Sequence, residues 1–322
     1  MQAQQVLETV ASDFKQVNQL IVEQLSSDVP LVEKIAHYIV ESGGKRMRPL
    51  LVLLTSNALN YKGSDNIKLA TIIEFLHTAT LLHDDVVDTS DLRRGKATAN
   101  AKWGNAPSVL VGDFLYSRAF QMMVQISSMP IMNILSDATN VIAEGEVFQL
   151  MNCKNPDVTE ENYMEVIKNK TAMLFQAASH SGAVVAEGSP EQQAALRDYG
   201  LHLGLAFQLI DDVLDYTGSA EDMGKNVGDD LAEGKPTLPL IYAMKHGSNE
   251  QAQMIRNAIR KGGLEDLSLI KSAVQTTGAL DYTINKAKEE SDKAKACLNT
   301  LQDSIYKDAL FALANLAVDR NH

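Results

Sequence analysis

Two stretches of this chain carry the same pattern of carboxylates: Asp84-Asp85-Val86-Val87-Asp88 and Asp211-Asp212-Val213-Leu214-Asp215. Residues four apart on an α-helix share a face, so Asp84 and Asp88 point the same way, as do Asp211 and Asp215. Like charges that close repel unless something positive lies among them. Oxygen donors without His or Cys partners suit a hard cation. Mg²⁺ takes one or two carboxylates together with waters and substrate phosphates. Two such rows imply a divided site holding several Mg²⁺ ions and a diphosphate. A solvated acidic face is the alternative. The neighbours Leu81, Leu82, Val86, Val87, Leu209, Ile210, Val213 and Leu214 argue against it, being too apolar for a surface stripe.

Basic groups stand where they can answer these acids. Gly43-Gly44-Lys45-Arg46-Met47-Arg48-Pro49 falls in a turn between two helices. Its glycines let backbone amides approach an anion, and arginine suits two-pronged phosphate contact. Arg93-Arg94-Gly95 follows the first acidic row; it pairs with Asp88 or Asp91 at the surface, or it reaches a phosphate. Lys168-Asn169-Lys170-Thr171 adds cations within a helix, and Lys225 and Lys235 sit in a polar stretch. His77 lies seven residues before Asp84 on the same face, where a lone histidine is usually a satisfied core group. Gln208 precedes Asp211 by three and shares its face, which fits a polar wall of the site.

These groups are positioned by helices. Helical periodicity dominates, with no convincing alternating strand. The pattern predicts helices over 5–25, 29–42, 48–60, 66–89, 107–128, 131–152, 159–187, 190–217, 237–246, 249–262, 264–276, 279–301 and 307–319. Pro107, Pro130 and Pro190 stand near helix starts, Ser189 is a candidate N-cap, and Thr159 with Glu160 and Glu161 opens another helix. Gly218 to Lys235, directly after the second acidic row, lacks helical pattern, and loops of that length are usually functional or disordered. The expected organisation is one all-helical domain over residues 1–322, with both rows at the mouth of a deep central hydrophobic cavity.

Composition narrows the class. With 322 residues and 45% hydrophobic content the chain can bury a large core. A net charge of −12 argues against a nucleic-acid partner. Cys153 and Cys297 form no ligand-like spacing, which fits a reducing compartment. There is no signal-peptide pattern and no transmembrane run, so a cytoplasmic location is expected.

Taken together, Gly43–Pro49, Leu81–Gly95, Gly112-Asp113, Gly145-Glu146, Lys170-Thr171, Phe207–Asp215 and Gly224–Pro239 resemble the trans-isoprenyl diphosphate synthases, and within them the bacterial long-chain members. The resemblance implies an all-α isoprenoid synthase fold, a homodimer and dependence on roughly two to three Mg²⁺ ions. It implies that Asp84 and Asp88 bind Mg²⁺ on one side with Asp85 in support. Asp211 would bind the opposing ion, with Asp212 and Asp215 assisting. Arg93, Lys170, Lys225 and Lys235 would hold the allylic diphosphate; Lys45, Arg48, His77 and Arg94 would hold isopentenyl diphosphate. Thr171 and Gln208 would line the reacting carbons, which with Lys170 makes them the catalytic candidates.

The implied reaction ionises the allylic C–O bond. The double bond of isopentenyl diphosphate then attacks the cation and a proton leaves to the departing diphosphate. On the first acidic helix Ala79 and Thr80 are not bulky, whereas an aromatic group there blocks short-chain relatives. Their small size therefore implies a long product. Phe75, Met122, Met123 and Phe148 are further candidates to shape the tunnel. The resemblance suggests about C40, for a quinone side chain. Alternatives are a synthase of other chain length, a terpene cyclase or a non-catalytic subunit. The second Asp row and the Gly43–Pro49 segment favour elongation over cyclisation.

Overall fold

The computed structural model describes residues 1–218 and 228–319. Within them the chain is helical almost throughout, as expected, with one short antiparallel hairpin pairing Leu92–Arg93 with Lys96–Ala97. The predicted helices are found with shifts of a few residues. The 5–25 span is two helices, Ala3–Glu8 and Ala11–Gln24, and the 264–276 span begins at Leu267. Three elements are additional: the hairpin, the five-residue helix Ala99–Trp103, and a single turn, Asp229–Ala232, inside the stretch expected to be irregular. All are too short to carry a periodic apolar pattern. The caps follow chemistry: Thr159 accepts from the Asn162 amide at 3.2 Å, and Ser189 from the Gln192 amide at 3.2 Å.

The chain forms two compact units. One comprises Met1–Thr139, Leu174–Gly200 and Lys295–Leu313; the other Asn140–Met173, Leu201–Ala294 and Ala314–His322.

The first unit is built around the helix Asp65–Val87. Its buried residues run round the whole girth: Ile67, Leu69, Ala70, Ile72, Ile73, Phe75, Leu76, Ala79 and Leu82. A helix apolar on every side belongs inside a bundle. Here it packs against Asn105–Ile126, Met47–Ala58, Ala11–Gln24 and Pro30–Glu41. Gly112 permits the closest of these approaches, because a Cβ there would collide with the imidazole of His83, next to Asp84. The hairpin turns on Arg94 and Gly95, with φ of 53° and 73°. Two positive φ values in a two-residue loop suit the twist of paired strands. The Tyr38 hydroxyl clamps the hairpin by donating to the Ala97 carbonyl at 2.7 Å, and the Thr98 hydroxyl donates to the Ser90 carbonyl at 2.7 Å.

The second unit has two cores. Val158, Tyr163, Ile167, Leu205, Leu209, Ile210 and Leu238 form one; Tyr216, Leu231, Leu240, Ile255, Ile259 and Ile270 form the other. The expected 159–187 helix is interrupted. Glu160–Ile167 widens into a π-helical turn over Lys168–Ala172 before Met173–Val185 resumes. Such a bulge marks functional positions in helices, and this one carries Lys170 and Thr171. Gly145 lets the helix Met129–Asn152 come close to it; a Cβ there would stand 2.9 Å from that of Asn169. Among the described residues no helix is long and apolar enough to cross a membrane.

Candidate active site

In the first unit the acidic row ends its helix. Asp84 and Asp88 are half-buried, whereas Asp85 is fully buried. A buried carboxylate requires a paired charge. Arg93 supplies it: Nε donates to Oδ1 at 2.9 Å and to Oδ2 at 3.1 Å, and Nη2 donates to Oδ1 at 2.6 Å. Of the two readings left open by the sequence, a surface pair with Asp88 or Asp91 or a phosphate contact, the first gives way to a pair with Asp85, because the hairpin brings Arg93 back over the inward-facing Asp85. Asn100 closes the turn, its amide donating to the carbonyls of Asp85 at 3.2 Å and Ser90 at 3.1 Å. Leu82 is buried as expected, but Val87 is 61% exposed. The helix ends at Val87.

A cluster of basic groups lies in the same unit. Arg48 Nη1 is 3.2 Å from His77 Nε2, and the guanidinium lies 4.3 Å from the centre of the Phe175 ring. Guanidinium only donates, so His77 Nε2 accepts. Burial, followed by Arg48, Arg94 and Arg93, holds the His77 pKa well below its ordinary value. His77 is thus a neutral acceptor that aims Arg48. The Arg94 guanidinium fills the space a Cβ would take on Gly44, 2.7 Å from that point. This contact joins the Gly43–Pro49 and Arg93–Gly95 motifs. Lys45 is exposed beside them. Arg46 turns inward, to Asn18, to the Val40 carbonyl at 3.4 Å and to Glu74 at 3.9 Å.

The acidic row of the second unit is handled differently. Asp211 is half-buried, and Asp212 and Asp215 are buried. Asp212 Oδ1 accepts from Gln208 Nε2 at 2.7 Å, and its Oδ2 from the Tyr163 hydroxyl at 2.5 Å. Gln208 was expected to share a face with Asp211; its contact is one residue further on. The Gln208 amide nitrogen is the donor to Asp212, so Gln208 Oε1 faces the other way. There it accepts from the Thr171 hydroxyl at 2.9 Å. Burial and nearby Asp230 push the Asp212 carboxyl well above the usual range, against the pull of Tyr163 and Gln208. Burial beside Asp212 raises the Tyr163 phenol. Lys170 Nζ donates to Glu146 at 2.6 Å and to Gln149 at 2.9 Å. Lys235 pairs with Glu233, and its amide donates to the Asp230 carbonyl at 2.8 Å. Lys225 lies outside the described residues.

Residues 29–277 match the polyprenyl synthetase family. The chain belongs to that family. Its class, a prenyltransferase of the polyprenyl diphosphate synthase type, and its all-α isoprenoid synthase fold follow from that membership. It is 55% identical over 322 residues to the octaprenyl diphosphate synthase of Escherichia coli, covering 100% of both chains. It is 49% identical over 321 residues to an all-trans-nonaprenyl-diphosphate synthase (geranyl-diphosphate specific) of Rhodobacter capsulatus, covering 98% of each. The crystal structure of a polyprenyl synthase from Caulobacter crescentus, complexed with calcium and isoprenyl diphosphate, superposes with a TM-score of 0.97. The identity is 45%, over 100% of this chain and 98% of that one.

Family membership gives the remaining placements a context. Among the described residues no three His, Cys, Asp or Glu side chains gather to hold a metal by themselves. Phe75, Ala79, Met122 and Met123 are buried in the first unit; Thr80 is half-buried, its hydroxyl donating to the His77 carbonyl at 2.7 Å. Phe148 is half-buried in the second unit. Tyr163 is not legible as a site residue in the sequence, because a buried tyrosine on an amphipathic helix looks like packing; only its hydroxyl contact marks it. Glu74 is hidden for the same reason.

Proposed function

We propose that this chain is a Mg²⁺-dependent synthase of long-chain all-trans polyprenyl diphosphate. It adds isopentenyl diphosphate repeatedly to an allylic diphosphate such as farnesyl diphosphate, to an octaprenyl product that serves as a quinone side chain. The observation that carries this reading is the hydrogen-bonded chain Thr171–Gln208–Asp212–Tyr163. It couples the groups meant for the allylic carbons to a carboxylate row meant for the leaving diphosphate. The octaprenyl product is supported by the 55% identity to the E. coli enzyme.

In this reading residues 1–322 act as one synthase domain. Asp84, Asp88 and Asp211 offer reachable carboxylates to roughly two to three Mg²⁺ ions, and Asp85, Asp212 and Asp215 support them from buried positions. Mg²⁺ bound by these residues would supply the positive charge that offsets the departing diphosphate. Arg93, Lys170, Lys225 and Lys235 hold that diphosphate as fixed cations that need no reorganisation. Lys45, Arg48, His77 and Arg94 hold isopentenyl diphosphate. Because the Thr171 proton is committed to Gln208, its oxygen lone pairs face outward toward the allylic cation. The proton of the condensation leaves with the diphosphate.

The growing chain passes Ala79 and Thr80, with Phe75 and Met123 further along. Ala79→Phe is expected to shorten the product to short-chain length; chromatography of the product checks this, and unchanged length would remove Ala79 from the tunnel wall. We also propose a homodimer: Leu110, Phe120 and Val124 are large apolar side chains exposed on one side of the helix Asn105–Ile126, among the exposed polar Asp113, Ser117 and Gln121, and a two-fold interface covers a mixed face of this kind. The test of the whole reading is product sizing after incubation with farnesyl diphosphate, isopentenyl diphosphate and Mg²⁺. A long all-trans product, lost on chelation, is expected. Consumption of the allylic diphosphate alone would point to cyclisation instead.

A further inference from the structure

One buried charge takes no direct part in the condensation. Glu74 lies on the helix Asp65–Val87, three residues before His77, with its side chain only 12% exposed. Oε1 stands 3.9 Å from Arg46 Nε. Oε2 is buried and accepts no hydrogen bond among the described residues. A carboxylate left in that state is costly, and it persists where something else requires the charge.

What surrounds it is positive. Arg46, Arg48 and Arg94 all act on the carboxyl, opposing the rise that burial imposes on its pKa. None of the three can lose its proton. Arg48 is aimed by a neutral histidine, which brings no counter-charge. Arg94 is held against Gly44 from a left-handed backbone, φ 53°, and Arg46 is left-handed too, φ 44°. Non-glycine residues adopt that region at a cost, and such strain concentrates where geometry serves function. Guanidinium groups gathered in this way repel one another. The pair Arg93–Asp85 is already mutually satisfied. Asp85 also acts on Arg94 but is bonded to Arg93, so Glu74, next to Arg46 and with one oxygen accepting no hydrogen bond among the described residues, is the carboxylate left to offset the cluster.

We propose that Glu74 is a positioning residue for isopentenyl diphosphate: its carboxylate is the standing counter-ion that keeps Arg48 and Arg94 gathered and aimed before the substrate's own diphosphate arrives. The role belongs to one substrate only, because the groups assigned to the allylic diphosphate have other partners. Lys170 is held by Glu146 and Gln149, and Arg93 by Asp85. The inference rests on the assignment of isopentenyl diphosphate to Lys45, Arg48, His77 and Arg94.

Steady-state kinetics of the full-length protein, varying each substrate in turn, tests it. Glu74→Gln keeps the shape and removes the charge. It is expected to raise KM for isopentenyl diphosphate about ten-fold, with KM for farnesyl diphosphate within about two-fold of wild type. Glu74→Asp keeps the charge but draws it back by one methylene, and is expected to give a smaller rise in the same KM. Thermal melts establish that each variant is folded; should Glu74→Gln fail to fold, Glu74→Asp decides. An unchanged KM for isopentenyl diphosphate in a folded variant, or an equal rise in both KM values, overturns the proposal. If wild type itself adds no isopentenyl units, the underlying functional reading fails instead, and the two failures are distinct.

Discussion

The two Asp-Asp-x-x-Asp rows share a pattern and differ in how the fold answers them. In the first unit the buried middle carboxylate, Asp85, is clasped by a full positive charge, Arg93. In the second the matching Asp212 receives, among the described residues, the neutral donors Tyr163 and Gln208, and burial pushes its carboxyl upward. The outer residues diverge as well. Asp84 and Asp88 are both half-buried and reachable, whereas Asp211 is reachable and Asp215 is buried. A repeated motif thus does not mean a repeated site. The first row presents two carboxylates next to a locked arginine. The second presents one, Asp211, beside the buried Asp212, which is tied through Gln208 to the Thr171 hydroxyl.

The sharpest way to break this contrast is to neutralise each middle carboxylate. Asp85→Asn leaves the Arg93 guanidinium without its partner and is expected to destabilise the fold by about 3 kcal/mol. Asp212→Asn keeps an acceptor oxygen at a position where burial already disfavours the negative charge, so its cost is expected to stay within about 1 kcal/mol. Urea unfolding of both variants checks this; equal losses would mean the second row depends on its charge as the first does. Tyr163→Phe is next in size. Freed from one donor, Asp212 holds Gln208 less firmly, and kcat is expected to fall about ten-fold with KM for isopentenyl diphosphate unchanged. A wild-type kcat would show that Gln208 needs no such support.

The smallest effect concerns acid. His77 is depressed in the folded state, so its stabilising contribution is present above the unfolded value of about 6.5 and is lost as pH falls below it. The melting temperature of wild type, followed downward from neutral pH, is expected to drop more steeply than that of His77→Asn. Parallel curves would mean that His77 does not titrate differently in the two states. Because His77 is faced by Arg48, Arg93 and Arg94, added salt is expected to narrow the difference.

Much of this was legible in the residues. The acidic rows, the Gly43–Pro49 segment and the Lys170-Thr171 pair are local patterns, and local patterns survive being read without a fold. The helices were legible because their apolar period repeats over many turns. The hairpin over Leu92–Ala97 was not, since two-residue strands carry no period, and with it went the true partner of Arg93. The π turn at Lys168–Ala172 was also hidden, because its sequence is compatible with an ordinary helix.

The sequence by itself therefore determined the chemistry on offer: hard oxygen ligands in two rows, cations spaced for diphosphates, small residues at Ala79 and Thr80, and helices to carry them. Only the tertiary structure decided which carboxylates remain reachable and which are spent on Arg93, Gln208 and Tyr163. It alone set Glu74 among arginines and left His77 uncharged. The reason is physical: composition and spacing fix what a side chain can do, but burial and the nearest charge fix what it does, and both arise only when distant segments pack together.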